Sequence, residues 1–283
     1  MTPSEAMPRM LKSHRPALGA EDACARWQLM QATRLSDVGP AVDVVVHLSS
    51  NDPSEVTVPA TVTILAGQTS ATFDVTLVND TLIDGTQTAT VTAHVPNWTD
   101  GSDSMDVLDN DAWLTVQLPA AAWENAGTLT GAGSVTLGGT LTSNLVVTLG
   151  VHDTSELSVP STVTVLAGQT TATFNVTVVD DTEQDGVQTG TVTASAPGLT
   201  GGSRSMLIRD DEVHHFAWGT IGSPKTAGVA FTATLEARNV DDEKIVPFTT
   251  TASLSGAGAG GAVNVTPAAT TAFTAGAWSG SVT

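Results

Sequence analysis

Two short stretches of the chain concentrate carboxylates. Asp180, Asp181, Glu183 and Asp185 fall within six residues, and Asp210, Asp211 and Glu212 stand in a row. Each stretch follows a segment that reads as a β-strand. If both strand ends lie at one pole of a fold, seven carboxylates crowd together there. Two unit charges 4 Å apart repel by about 1 kcal/mol in water and about 4 kcal/mol at an effective dielectric of 20. Such a cluster takes up a cation or protonates in part. Ca²⁺ suits it, because that ion accepts about 6–8 oxygen ligands in flexible geometry. Mg²⁺ demands a stricter octahedron, and Zn²⁺ prefers nitrogen and sulfur, which these loops lack. The alternative is that these are solvated turn acids, since Asp and Gly dominate strand ends anyway. An EF-hand is excluded. Asp181, Glu183, Asp185 and Gly186 imitate the first half of its loop, but Val192 occupies the twelfth position, where a bidentate Glu is needed.

The acidic stretches belong to a duplicated unit. Residues 51–111 align with residues 152–212 without a gap, and more than half of the positions are identical. Pro59 pairs with Pro160, Asp80 with Asp181 and Asp84 with Asp185, always 101 residues apart. That period is too long for a solenoid repeat and right for a sandwich domain. Within each copy the apolar residues alternate. Phe73, Val75 and Leu77 interleave with Thr72, Asp74 and Thr76, and Phe174, Val176 and Val178 repeat the pattern. Ala89, Val91, Ala93 and Val95 do the same. Period-two alternation puts one face on a core and the other in water. Ala66-Gly67-Gln68 and Ala167-Gly168-Gln169, Asp84-Gly85 and Asp185-Gly186, Pro96 and Pro197 supply the turns in register. The expected fold is all-β, a tandem of antiparallel immunoglobulin-like β-sandwiches.

Three elements recur in order in both copies: Val62 to Phe73, Val78-Asn79-Asp80 and Asp109-Asn110-Asp111 in the first, and Val163 to Phe174, Val179-Asp180-Asp181 and Asp210-Asp211-Glu212 in the second. Over roughly residues 33–212 this pattern resembles the Calx-β family. The resemblance implies a seven-stranded sandwich whose loops at one end bind calcium. Carried over position by position, it implies Glu124, Asp180, Asp181, Asp185, Asp210, Asp211 and Glu212 as ligands in the second copy, with Gln188 departing from the acidic pattern. In the first copy the matching positions are Ala23, Asn79, Asp80, Asp84, Gln87, Asp109, Asn110 and Asp111. Its acids Asp80, Asp84, Asp109 and Asp111 are joined by three amides and an alanine, so a weaker or lost site is expected there.

The organisation expected is an irregular or degenerate segment over residues 1–32, an N-terminally incomplete repeat 1 over 33–111, repeat 2 over 112–212 and a truncated immunoglobulin-like domain over 213–283, similar to adhesin modules. In the last, Val229 to Arg238 and Phe248 to Leu254 read as strands and Gly256 to Gly261 as a turn. A net charge of −19, from 10 basic and 29 acidic residues, excludes nucleic acid and anionic membranes as partners. No apolar run approaches the ~20 residues of a membrane span, no signal peptide is visible, and the single Cys24 rules out an internal disulfide. The function expected is a non-catalytic structural or adhesive segment of a larger extracellular or cell-surface protein, with Ca²⁺ stiffening domain junctions and cell-surface proteins or glycans as further partners. The rivals are a glycan-binding module using Trp98, Trp113, Trp123 or Trp218, and appendages of an enzyme whose catalytic part lies elsewhere.

Other residues carry less. His152, Asp153 and Ser155 supply triad residue types without triad geometry. Asp52, Asp153, Glu55 and Glu156 recur between the copies and read as turn and edge residues. His214 and His215 suit a transition metal, but neighbours on one strand point to opposite faces, which argues against a shared site.

Overall fold

The computed structural model describes residues 39–258 and 260–283. The segment expected over 1–32, with Ala23 and Cys24, lies outside them, as does any first strand of repeat 1. Among the described residues there is no α-helix. The fold is all-β, built of tandem antiparallel immunoglobulin-like sandwiches. The described residues divide into two compact units, 39–113 with 137–143, and 114–136 with 144–283.

In the first unit six strands are described: β1 (Val44–Ser50), β2 (Val56–Thr57), β3 (Thr61–Ile64), β4 (Thr76–Leu77), β5 (Gln87–His94) and β6 (Gly101–Val107). One sheet runs β3-β1-β5-β6, and β2 pairs with β4. The alternating residues meet between them. Val46, Leu48, Val56, Ile64, Phe73, Val75, Ala89, Val91 and Ala93 form one buried cluster, with Leu77 and Val95 packed against it.

The second unit contains the other copy, with β7 (Leu114–Gln117), β8 (Ala121–Trp123), β9 (Thr128–Leu137), β10 (Leu145–Val151), β11 (Leu157–Ser158), β12 (Thr162–Val165), β13 (Thr171–Val178), β14 (Gln188–Ser195) and β15 (Gly202–Arg209). One sheet runs β12-β10-β14-β15-β8, the other β11-β13-β9-β7. Val147, Leu149, Phe174, Val176, Val178, Val192, Ala194, Met206 and Ile208 are buried between them. The β15–β8 pairing is parallel, with Arg209 opposite Trp123. That register decides where Glu124 emerges.

The unit continues through β16 (His215–Trp218), β17 (Phe231–Arg238), β18 (Gly256–Gly258), β19 (Gly261–Val263) and β20 (Ala277–Val282). A sheet β16-β17-β20 covers a cluster of Ala233, Leu235, Ala237, Ala252, Leu254, Phe273, Trp278 and Val282. Two expectations change here. Phe248 to Leu254 forms no regular strand: its backbone pairs irregularly with residues 268–273, as in Leu254 N–H to Ala268 O (2.8 Å) and Thr270 N–H to Ala252 O (2.8 Å). The glycine-rich stretch is not only a turn. Gly256–Gly258 and Gly261–Val263 pair as a hairpin, and Gly261 there adopts a φ of 111° that side-chain-bearing residues avoid.

Candidate metal centre

Three chain segments converge at one pole of the second copy. Glu124 opens a 3₁₀ turn (Glu124–Ala126) directly after β8. Because β8 runs parallel to the end of β15, this turn lies beside Asp210 and Asp211. Asn125 holds it there: its N–H and its side-chain amide donate to the two carboxylate oxygens of Asp211 at 3.2 and 2.6 Å. The loop after β13 is anchored by Val178 N–H to Gly127 O and Val179 N–H to Glu156 O, each 3.0 Å. Asp210 ties the last segment to this loop. It is fully buried, and its carboxylate accepts from Gly186 N–H at 3.1 Å and from Glu212 N–H at 2.8 Å.

Glu124, Asp180, Asp211 and Glu212 each present a carboxylate oxygen, and these four oxygens lie within 4.8 Å of one another. Opposite ligands on Ca²⁺ stand about 4.6–5.2 Å apart, twice the metal–oxygen distance, whereas Mg²⁺ would draw them to about 4.0–4.2 Å. Glu124 is only 1% exposed. Neither of its oxygens has a hydrogen-bond partner, and one buried oxygen of Glu212 is likewise unpartnered. An orphaned buried carboxylate costs several kcal/mol unless it is neutralised or paired. Without a cation, protonation is the remaining route. Burial, then repulsion from Glu156, Glu212, Asp181 and Asp185, pushes Glu124 up to about 8. Burial, a side-chain hydrogen bond with Asp210 and the charge of Asp211 push Glu212 to about 7. Asp211 is raised by burial and by Asp180.

The remaining acids expected from the sequence, Asp181, Asp185 and Asp210, are outside this quartet. Asp181 caps its own turn, accepting from Glu183 N–H at 2.7 Å. Asp185 is raised by burial, Asp181 and Asp210. Next to them stands Glu156, which the sequence assigned to a turn or edge. The structure buries it to 5% exposure, and burial, then Asp185, raises its carboxyl. The sequence signal for it was a glutamate, recurring 101 residues after Glu55, immediately before the fully buried Leu157.

In the first copy, Glu55 is also buried, and its carboxyl is raised by burial and then by Asp84, Asp80, Asp52 and Asp109. Asp80 accepts from Leu82 N–H (2.9 Å), and Asp109 from Gly85 N–H (3.2 Å) and Asp111 N–H (2.7 Å). Among the described residues, no second group of three or more ligating side chains accompanies the quartet.

The triad residue types form a turn. Ser155 donates to Asp153 through both N–H (3.1 Å) and hydroxyl (2.5 Å), as Ser54 does to Asp52. Among the tryptophans, Trp218 is 52% exposed, and Trp123 carries the Arg209 guanidinium 5.8 Å from its ring centre.

No family model and no curated protein matches the chain. Similar solved structures include CBD12 from CALX1.2 (8% identity, TM-score 0.28, 60% of this chain and 88% of that one). The calcium binding domain CBD12 of CALX1.1 is another (10%, 0.24, 55% and 68%). Invasin, a bacterial integrin-binding protein, is a third (13%, 0.34, 91% and 50%). None of them aligns at a score that transfers a residue role to this chain.

Proposed function

We propose that the chain is a non-catalytic run of Calx-β-type repeats from an extracellular or cell-surface adhesion protein, and that its second repeat binds Ca²⁺ through Glu124, Asp180, Asp211 and Glu212. The observation that carries this reading is Glu124. Its carboxylate is buried without a partner and aimed among three others, a placement that a solvated turn does not explain. The four carboxylates, with water, can supply the oxygens that a 6–8-coordinate ion uses, while Asp181 and Asp210 hold the loops that carry them. Asp80, Asp84, Asp109 and Asp111 form at most a weaker site in the first repeat.

The same loop seats the following module, which gives the ion a mechanical role. Asp241 accepts from Val187 N–H at 2.7 Å, Asn239 donates from its amide to Asp210 O at 3.2 Å, and Arg209 pairs with Glu243 at 2.9 Å. A cation that fixes Asp210 to Glu212 and the 180–187 loop therefore also fixes the platform on which the module over 213–283 rests.

Calorimetric titration of the full chain with Ca²⁺ tests the assignment. Saturable binding that disappears in Glu124→Gln is expected. Absence of heat at millimolar Ca²⁺, or binding indifferent to that substitution, sinks it.

A further inference from the structure

We propose that His214 and His215 form a chelating site for a divalent transition-metal ion of the zinc, copper or nickel kind, independent of the carboxylate centre and of its assignment to calcium. Strand alternation would separate these side chains, but β16 begins only at His215. His214 precedes the strand, its N–H donating to Arg238 O at 2.9 Å, so alternation does not apply to the pair. The two Nδ1 atoms stand 3.2 Å apart, with the rings edge-on, their centres 5.4 Å apart and their planes at 86°. With metal–nitrogen bonds of about 2.0–2.1 Å, two nitrogens on one tetrahedral ion lie about 3.3 Å apart. The imidazoles are therefore already at chelating distance.

A carboxylate stands behind one of them. Asp242 Oδ1 is 3.2 Å from His215 Nε2. A proton on Nε2 would bond that carboxylate and free the Nδ1 lone pair, 3.2 Å from Nδ1 of His214, for a metal. A carboxylate on the far nitrogen is the usual support of a metal-bound histidine. Asp242 is itself held, by the Arg238 guanidinium at 3.3 Å. It adopts a left-handed φ of 62°, which Asp tolerates better than most residues. His214 is exposed, so water can complete the ion's shell. Imidazole nitrogen selects transition ions over Ca²⁺, which separates this site chemically from the carboxylates.

The test is calorimetric titration of the full chain with Zn²⁺ and with Ni²⁺, in saturating Ca²⁺. One ion per chain is expected. Binding should persist in Glu124→Gln, vanish in His214→Ala and in His215→Ala, and weaken about tenfold in Asp242→Asn. Unchanged thermal melting of His214→Ala, whose side chain is exposed, shows that its loss of binding is not a folding defect. Three results overturn the proposal: no binding, binding that survives either histidine substitution, or binding that is lost in Glu124→Gln and so belongs to the carboxylates.

Discussion

Asp109 and Asp210 do the same work in the two repeats. One carboxylate oxygen accepts from Gly85 or Gly186 (3.2 and 3.1 Å), the other from Asp111 or Glu212 (2.7 and 2.8 Å). Asp80 and Asp181 likewise cap equivalent turns, through Leu82 and Glu183. The quartet behaves differently. Glu124, Asp180, Asp211 and Glu212 stand opposite Ala23, Asn79, Asn110 and Asp111, so four carboxylates become one. The acids of these loops are thus of two kinds. Those present in both copies satisfy backbone N–H groups and build the turns. Those confined to the second copy, Glu124, Asp180 and Asp211, bring carboxylate oxygens within 4.8 Å of one another and of Glu212, the arrangement the proposed ion would use.

The largest effect expected from this contrast is a one-sided response to Ca²⁺. At a hundred times its dissociation constant, a ligand stabilises the state it binds by about 2.7 kcal/mol. Hydrogen exchange of the full chain should therefore show strong Ca²⁺-dependent protection of residues 180–187 and 210–212, and little at 79–86 and 109–111. Equal protection of both loops would break the distinction between the copies.

Without Ca²⁺ the contrast becomes one of pH. Native Glu124, held up to about 8 against an ordinary 4.5, keeps a proton that the unfolded chain releases, and Glu212, at about 7, adds the same sign. The native state then binds more protons between about 4.5 and about 8, so stability is fullest at the acidic end and falls as pH rises through that window. The expected loss is a few kcal/mol, since each pH unit between the native and ordinary values is worth about 1.4 kcal/mol. Glu124→Gln should flatten the urea midpoint against pH while abolishing the Ca²⁺ response. A wild-type midpoint that rises with pH would mean that Glu124 is ionised and paired.

Next in size is the structural class. Asp210→Ala and Asp109→Ala each strand two N–H groups and should cost about 1–3 kcal/mol in urea denaturation with no Ca²⁺ present. Asp180→Asn, at an exposed position where the first copy already carries Asn79, should leave that midpoint within about 0.5 kcal/mol and weaken Ca²⁺ binding. A similar cost for all three would remove the division into turn-building and ion-facing acids.

What the sequence disclosed follows the same physics. Alternation identified Phe73 and Val75 as core just as it did Phe174 and Val176, and all four are buried. It could not say whether a ladder forms. Thr171–Val178 is an eight-residue strand because β9 lies alongside it, whereas in Ala71 to Val78 only Thr76–Leu77 is a strand among the described residues. Side-chain pattern selects a face, but a strand also needs a neighbour to bond. Acidic spacing located the pole, and family resemblance supplied Glu124. Neither revealed Glu55 and Glu156, because a glutamate beside Asp and Ser reads as a turn until the sheets close over it. Strand alternation would set His214 and His215 apart, but His214 precedes the strand and the two Nδ1 atoms stand 3.2 Å apart.

The smallest expected difference concerns two glycines with the same backbone. Gly85 and Gly186 have φ of 83° and 82°, so alanine at either position should cost about 1–2 kcal/mol for the left-handed conformation. A Cβ on Gly85 would meet nothing within 4 Å, whereas one on Gly186 would come 2.5 Å from Asp241 Oδ2, the oxygen that accepts from Val187 N–H. Gly186→Ala should therefore cost about 0.5–1.5 kcal/mol more than Gly85→Ala, the worth of one hydrogen bond, and in an Asp241→Ala background the two costs should converge. Urea denaturation of the two glycine variants, of Asp241→Ala and of the two double variants measures the difference. If the gap persists without Asp241, the extra strain lies in the acidic loop itself, and the loop's role as the seat of the following module loses its support.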